Sequence, residues 1–227
     1  MPPDLTRPDG LIFDLDGTLV DTVDARIEGW LEALAAFGIR VSREQVGPLI
    51  GMDGKRLARE VAEADGRTLD EHEVEEIDRA AGEAFDRLNG SPRPLPGARS
   101  LLATLDRLGI PWLIATSSRA EQVRGSVASL ELPSEPTIVD GSHVEHAKPA
   151  PDLLLLAAER LGFEPARCWA VGDSTWDVRA AGAAGMPAVG VQAGSAVGAE
   201  ALAGAGAALV VETLLELEMA LGQFAQG

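Results

Sequence analysis

At 227 residues and 46% apolar, the chain is long enough to bury one large core or two unequal ones. Its formal charge of −17 repels nucleic acid and anionic lipid, so an anionic ligand needs a local reversal of sign from a metal ion, a lysine or helix N-termini. A single cysteine, Cys168, excludes an intrachain disulfide, and no run of about 18 apolar residues is present to span a membrane.

The chain opens with MPPDLTRPDG, which has no basic region leading into an apolar stretch, so no secretory signal is expected and a reducing cytoplasm is. Leu11–Leu15 reads as a short buried strand. Over 23–37 the period changes: Val23, Ile27, Trp30, Leu31, Leu34 and Phe37 recur at helical spacing, and Gly38 is a stop. The SREQ at 42–45 has the form of a capping box. Met52–Ala64 and residues 70–88 give two further amphipathic helices, and the Pro/Gly-rich NGSPRPLPG at 89–97 is a joint.

Beyond that joint, helices and short apolar strands alternate. Helices are predicted over Ala98–Leu108, Ala120–Leu130, Asp152–Leu161, Asp177–Ala184 and 213–224. Strands are predicted over Trp112–Ala115, Thr137–Val139, Cys168–Val171, Ala188–Val191 and Ala208–Val211. Such alternation predicts an α/β fold, a Rossmann-like, doubly wound parallel sheet covered on both faces. An all-helical segment, 22–90, interrupts it, leaving a core made of 1–21 and 91–227.

In an open parallel sheet, ligands bind beyond the carboxyl ends of the strands. The first strand ends in Asp14 and Asp16, and the strand at 112–115 ends in Thr116, Ser117 and Ser118. The strand at 168–171 is followed by Asp173, Ser174 and Asp177, and the loop after 137–139 carries Lys148. Carboxylates so close together do not all ionise without a compensating charge. A divalent cation supplies one, and all-oxygen donors point to Mg²⁺. Gly17 permits the tight turn that brings backbone close to a ligand.

The segments DLDGTLVDT, ATSS, KPAPD and GDSTWD occur in the order and rough spacing of the four motifs of the haloacid dehalogenase-like (HAD) hydrolase superfamily, and the resemblance covers nearly the whole chain. The helical insert after the first motif resembles the cap of its phosphoglycolate phosphatase and β-phosphoglucomutase branch. The resemblance implies a Mg²⁺-dependent phosphatase acting on a small phosphorylated metabolite, phosphoglycolate-like or a sugar phosphate. The enzyme would be a monomer or homodimer with no nucleic-acid or membrane partner. Asp14 would be the nucleophile that forms an aspartyl-phosphate. Asp16 would be general acid and then base, with a raised pKa, and its backbone carbonyl would join the carboxylates of Asp14 and Asp173 on the metal. Asp177 would hold a metal-bound water or Lys148. Thr116 and the Ser117 amide would bind the phosphoryl group, and Lys148 would neutralise it.

An acid at position 16 favours phosphate chemistry over dehalogenation, which needs no proton for its leaving group. In the cap, LIGMDGKRLARE places Lys55 and Arg56 after a Gly51–Gly54 loop, either facing the site, where they would hold a carboxylate or second phosphate, or on an exposed helix side. Lys55 and Arg26 are the cap's candidate substrate-binding residues. Arg26 stands where β-phosphoglucomutases carry a histidine, a departure that weakens the mutase alternative. A Schiff base on Lys55, as in phosphonoacetaldehyde hydrolases, and a non-catalytic binding role are the remaining alternatives.

Overall fold

The computed structural model describes residues 5–118 and 120–224. The outer ends of the expected core, 1–4 and 225–227, lie outside the described residues. Along the chain run β1 (Gly10–Phe13), β2 (Val20–Asp21), α1 (Val23–Ala36), α2 (Arg43–Val46), α3 (Gly54–Ala64), α4 (Glu71–Leu88) and β3 (Arg93–Pro94). Then come α5 (Ala98–Leu108), β4 (Trp112–Ala115), α6 (Ala120–Ser129), β5 (Ile138–Val139), α7 (Asp152–Leu161) and β6 (Cys168–Gly172). The chain ends with α8 (Thr175–Ala183), β7 (Ala188–Val191), α9 (Ala199–Gly204), β8 (Leu209–Val211) and α10 (Leu214–Phe224).

Six of the strands form one parallel sheet in the order β5-β4-β1-β6-β7-β8. Strand β1 lies in its middle, with Leu11 opposite both Trp112 and Trp169. Side chains on a strand alternate between faces. Leu11 and Phe13 accordingly join α5 and α10 in one apolar cluster, while Ile12 joins α7 and α8 in another. Both faces are covered, which is why β1 reads as an unbroken apolar run. The fold is the Rossmann-like, doubly wound α/β architecture, with the chain reversing direction across the sheet at β1.

Helices α1 to α4 have a third cluster of their own, including Ile27, Trp30, Leu34, Leu57, Val61, Val74 and Ile77, to which α8 contributes Trp176. The chain enters and leaves this helical segment through β2 and β3, which pair antiparallel as Val20↔Pro94 and Asp21↔Arg93. Sequence pattern does not reveal this ribbon, because two residues per strand are too few for a period. The Ala/Gly-rich composition of residues 194–208 likewise conceals α9. Strand β1 begins one residue earlier than expected and ends at Phe13, which frees Asp14 and Leu15 to turn out of the sheet.

Candidate active site

The carboxyl end of β1 delivers Asp14 between the ends of β4 and β6, which deliver Thr116 and Asp173. Gly17 makes the turn that follows. Its φ is +83°, and a Cβ there would overlap the Asp173 carboxylate, so two separate demands meet at one glycine. Thr18, fully buried, donates its hydroxyl to Asp173 Oδ1 at 3.1 Å. Ser195 anchors the Asp173 backbone carbonyl at 2.5 Å.

Lys148 lies at the centre with only 2% of its side chain exposed. Its ammonium donates to Asp14 Oδ1 at 2.5 Å and meets Asp177 Oδ1 at 2.6 Å. Asp177 uses its other oxygen on the backbone N–H and hydroxyl of Ser174, closing a capping box at the start of α8. Asp177 therefore holds Lys148, one of the two roles expected of it, and begins a helix as well. Oxygens of Asp14, Asp173 and Asp177 come within 4.8 Å of one another. With Asp177 committed to Lys148 and Ser174, Asp14 and Asp173 are the carboxylates left to hold a cation.

Electrostatics in this cluster follow from burial. Loss of water pushes the Asp14 carboxyl up to about 7, and the nearby Asp177 and Asp16 charges push the same way against Lys148. Burial, with Asp177 and Asp14 beside it, raises Asp173 well above the ordinary carboxylate range. For Lys148 burial opposes the charge, but Asp14 and Asp177 outweigh it and its pKa rises. The donor set fits Mg²⁺. It is all oxygen, and it consists of buried carboxylates whose charge a hard divalent ion balances.

Asp16 differs from the sequence-based expectation. Burial raises its pKa, but Arg26 reverses that effect, helped by hydrogen bonds from Ser118 and Thr22, and the carboxyl ends up below its usual value. Arg26 donates to Asp16 Oδ2 at 2.8 Å, Ser118 donates to the same oxygen at 2.6 Å, and Thr22 donates to Oδ1 at 2.8 Å. The guanidinium also donates to Ser118 Oγ at 2.5 Å and stacks 3.5 Å over the Phe85 ring of α4. A raised pKa for Asp16 is thus corrected to a lowered one, caused by a cation on the first helix of the insert.

A cavity of about 350 Å³ opens between these groups and helices α1, α3 and α4. Thr116 and Ser117 line it. The Thr116 hydroxyl accepts from the Ser118 backbone N–H at 3.1 Å. Among the described residues Ser117 Oγ is buried and has no hydrogen-bond partner. Arg26 and Lys55 also line the cavity, with the Lys55 ammonium on Glu75 at 2.8 Å. Arg56 does not line it. Its guanidinium pairs with Glu60 one helical turn on and lies 5.5 Å from the Trp176 ring.

Residues 8–185 match the model of the haloacid dehalogenase-like hydrolase family. The chain belongs to that family. Among similar HAD proteins is the fructose-1-phosphate phosphatase YqaB of Escherichia coli K12, 33% identical over 184 residues, covering 81% of this chain and 96% of that one. Phosphoglycolate phosphatase of the same organism is 32% identical over 205 residues, covering 82% and 81%. A solved hydrolase structure from Pseudomonas syringae superposes with a TM-score of 0.89 at 33% identity, covering 94% of this chain and 98% of that one.

The geometry brings together Asp14, Asp16, Thr116, Ser117, Lys148, Asp173 and Asp177 of the four HAD-like segments, with Arg26 added from α1. Sequence reasoning assigned no contact to Thr18, Thr22 and Ser118. Thr18 and Thr22 carry a local signal, standing two and six positions after Asp16 in the first motif, whereas Ser118 lies 102 positions away in ATSS and carries none.

Proposed function

We propose that the chain is a Mg²⁺-dependent phosphomonoesterase for a small phosphorylated metabolite, working through an aspartyl-phosphate on Asp14, with residues 22–90 as the cap and 1–21 with 91–227 as the core. The observation that carries this reading is the buried Asp14–Lys148–Asp177 chain beside Asp173 at the carboxyl ends of the central strands. In it, Asp14 Oδ1 is held by Lys148, which fixes the carboxylate for in-line attack on phosphorus. Asp14, Asp173 and the Asp16 backbone carbonyl would hold Mg²⁺, which when bound neutralises the phosphate oxygens and orients them. Thr116 and Ser117 would donate to those oxygens, and Lys148 would balance their charge.

Asp16 lies where it would pass a proton to the leaving alcohol and recover one from the attacking water. Held as a carboxylate by Arg26, it is in the form that the second half, hydrolysis of the aspartyl-phosphate, requires of a general base. Helices α1, α3 and α4 would keep bulk water from the first step.

Release of inorganic phosphate from an aryl phosphate, with and without Mg²⁺, tests the reading. Activity is expected only with the metal, and Asp14→Asn is expected to remove it by a factor of about a thousand or more. Unchanged turnover in Asp14→Asn would sink the proposal. Release of free phosphate from a sugar phosphate with no isomer formed separates it from a phosphomutase.

A further inference from the structure

Similarity divides over what the ester carries besides phosphate: one relative is named for a sugar phosphate and another for phosphoglycolate, at nearly equal identity. The outer wall of the cavity distinguishes these. It is built by α1, α3, α4 and the loop before α7, and Asp53, Asp78 and Glu145 line it. Among the described residues lining the cavity, two carry positive charge, and both are engaged. Arg26 is on Asp16 and Ser118, and Lys55 is on Glu75.

The N-terminus of α3 would be the natural seat for a second anion, because its free N–H groups face outward from the helix. The protein's own carboxylates already take that seat. Asp53 accepts from the Arg56 backbone N–H at 2.8 Å, and Asp78 lies so close over Gly54 that a Cβ there would overlap its Oδ1. A carboxylate or second phosphate on the leaving group would enter beside three like charges, with Asp53 capping the helix end, Asp78 crowded against it and both cations engaged. What the wall does offer is acceptor lone pairs for hydroxyl donors. The Trp30 indole, next to Gly54, adds an apolar face for a carbon skeleton.

We infer, resting on the phosphatase reading, that the substrate is a sugar or polyol monophosphate with an otherwise uncharged leaving group, and that Asp53, Asp78 and Glu145 exclude carboxylate-bearing esters. A hydroxyl-rich leaving group is recognised by hydrogen-bond acceptors beside apolar surface, and the cavity supplies both.

The test is a comparison of kcat/KM for the 227-residue chain with Mg²⁺. Sorbitol 6-phosphate and fructose 1-phosphate serve as hydroxyl-rich probes, phosphoglycolate as the carboxylate, phosphoethanolamine as the ammonium and p-nitrophenyl phosphate as the control for chemistry. The better hydroxyl-rich probe is expected to exceed phosphoglycolate by about tenfold or more. Phosphoethanolamine turned over better than that probe would show that the wall selects an ammonium and would overturn the sugar assignment. In Asp78→Asn or Glu145→Gln, the ratio of phosphoglycolate to that probe is expected to rise several-fold. A ratio read within one preparation is unaffected by any loss of folded protein. No turnover of p-nitrophenyl phosphate removes the phosphatase assignment itself. Turnover of it with a smaller preference, or with the ratio unmoved in both variants, overturns the substrate class alone.

Discussion

Gly17 carries two constraints that a single methyl group violates. Its φ of +83° lies in the left-handed region, where a side chain costs about 1–2 kcal/mol, and a Cβ there would push on the Asp173 carboxylate. Gly17→Ala is therefore expected to cut kcat by about a hundredfold through misplacement of Asp173, together with a loss of stability of about 1–2 kcal/mol or more. Steady-state rates and a melting curve on the same protein check this, and a variant with normal kcat contradicts the geometry. Arg26 acts through charge instead. It holds Asp16 below the ordinary carboxylate range, so Arg26→Met lets that pKa rise. A protonated acid then persists to higher pH. For alkyl phosphates, whose leaving group needs a proton, the alkaline limb of kcat/KM should move to higher pH in the variant. For p-nitrophenyl phosphate, whose leaving group does not, the limb should move little. An alkyl-phosphate profile that stays in place would show that Arg26 does not govern Asp16.

Among the elements, α8 ties the catalytic end of the sheet to the helical insert. Its Trp176 is 6% exposed, joins the apolar cluster of α1, α3 and α4, and donates from Nε1 to the Pro48 carbonyl at 2.9 Å. Arg179 and Arg56 approach the same ring at 4.9 and 5.5 Å. Trp176→Ala is expected to cost about 3–5 kcal/mol, and Trp176→Phe, which keeps most of the buried area, markedly less. Urea denaturation distinguishes the two, and equal losses would mean that the indole packs on nothing of consequence. Helices with a strong apolar stripe, such as α3 and α4, were legible in the sequence because a period of 3.6 residues repeats within each. The Ser42–Gln45 capping box was legible for a similar reason, since both partners sit in one short string. The β2–β3 ribbon was not, because its pairing joins residues some 70 apart in sequence with no pattern on either side. The same limit applies in the site. Asp14, Asp16, Thr116, Lys148 and Asp173 stand at strand ends or in motif strings and could be named. That Ser118 would donate to Asp16 across 102 residues, or that Arg26 would reverse the pKa of Asp16, depends on packing that no local string encodes.

For the molecule as a whole, a charge of −17 and a buried carboxylate cluster link stability, pH and metal. Burial raises Asp14 to about 7 and raises Asp173, whereas both ionise near 4 in an unfolded chain. Between those values the metal-free folded state keeps protons that the unfolded state has lost, so its stability falls as pH rises through that window. Lys148 has the opposite charge and a raised pKa, and its contribution is fully present at any pH below the ordinary lysine value, so it leaves the slope from pH 5 to 8 unchanged. On the proposed reading Mg²⁺ would compete with those protons for Asp14 and Asp173 and bind only the folded state, so its stabilisation should be larger at pH 8 than at pH 5. Each kcal/mol moves the melting temperature of a chain this size by about 2–4 °C, which makes the difference measurable. Melting curves in chelator should shift to lower temperature from pH 5 to pH 8. Saturating Mg²⁺ should restore several degrees at pH 8 and less at pH 5. Asp173→Asn should weaken both the pH slope and the Mg²⁺ response. An equal Mg²⁺ shift at the two pH values, or an undiminished one in Asp173→Asn, would mean that the ion binds elsewhere on this acidic surface.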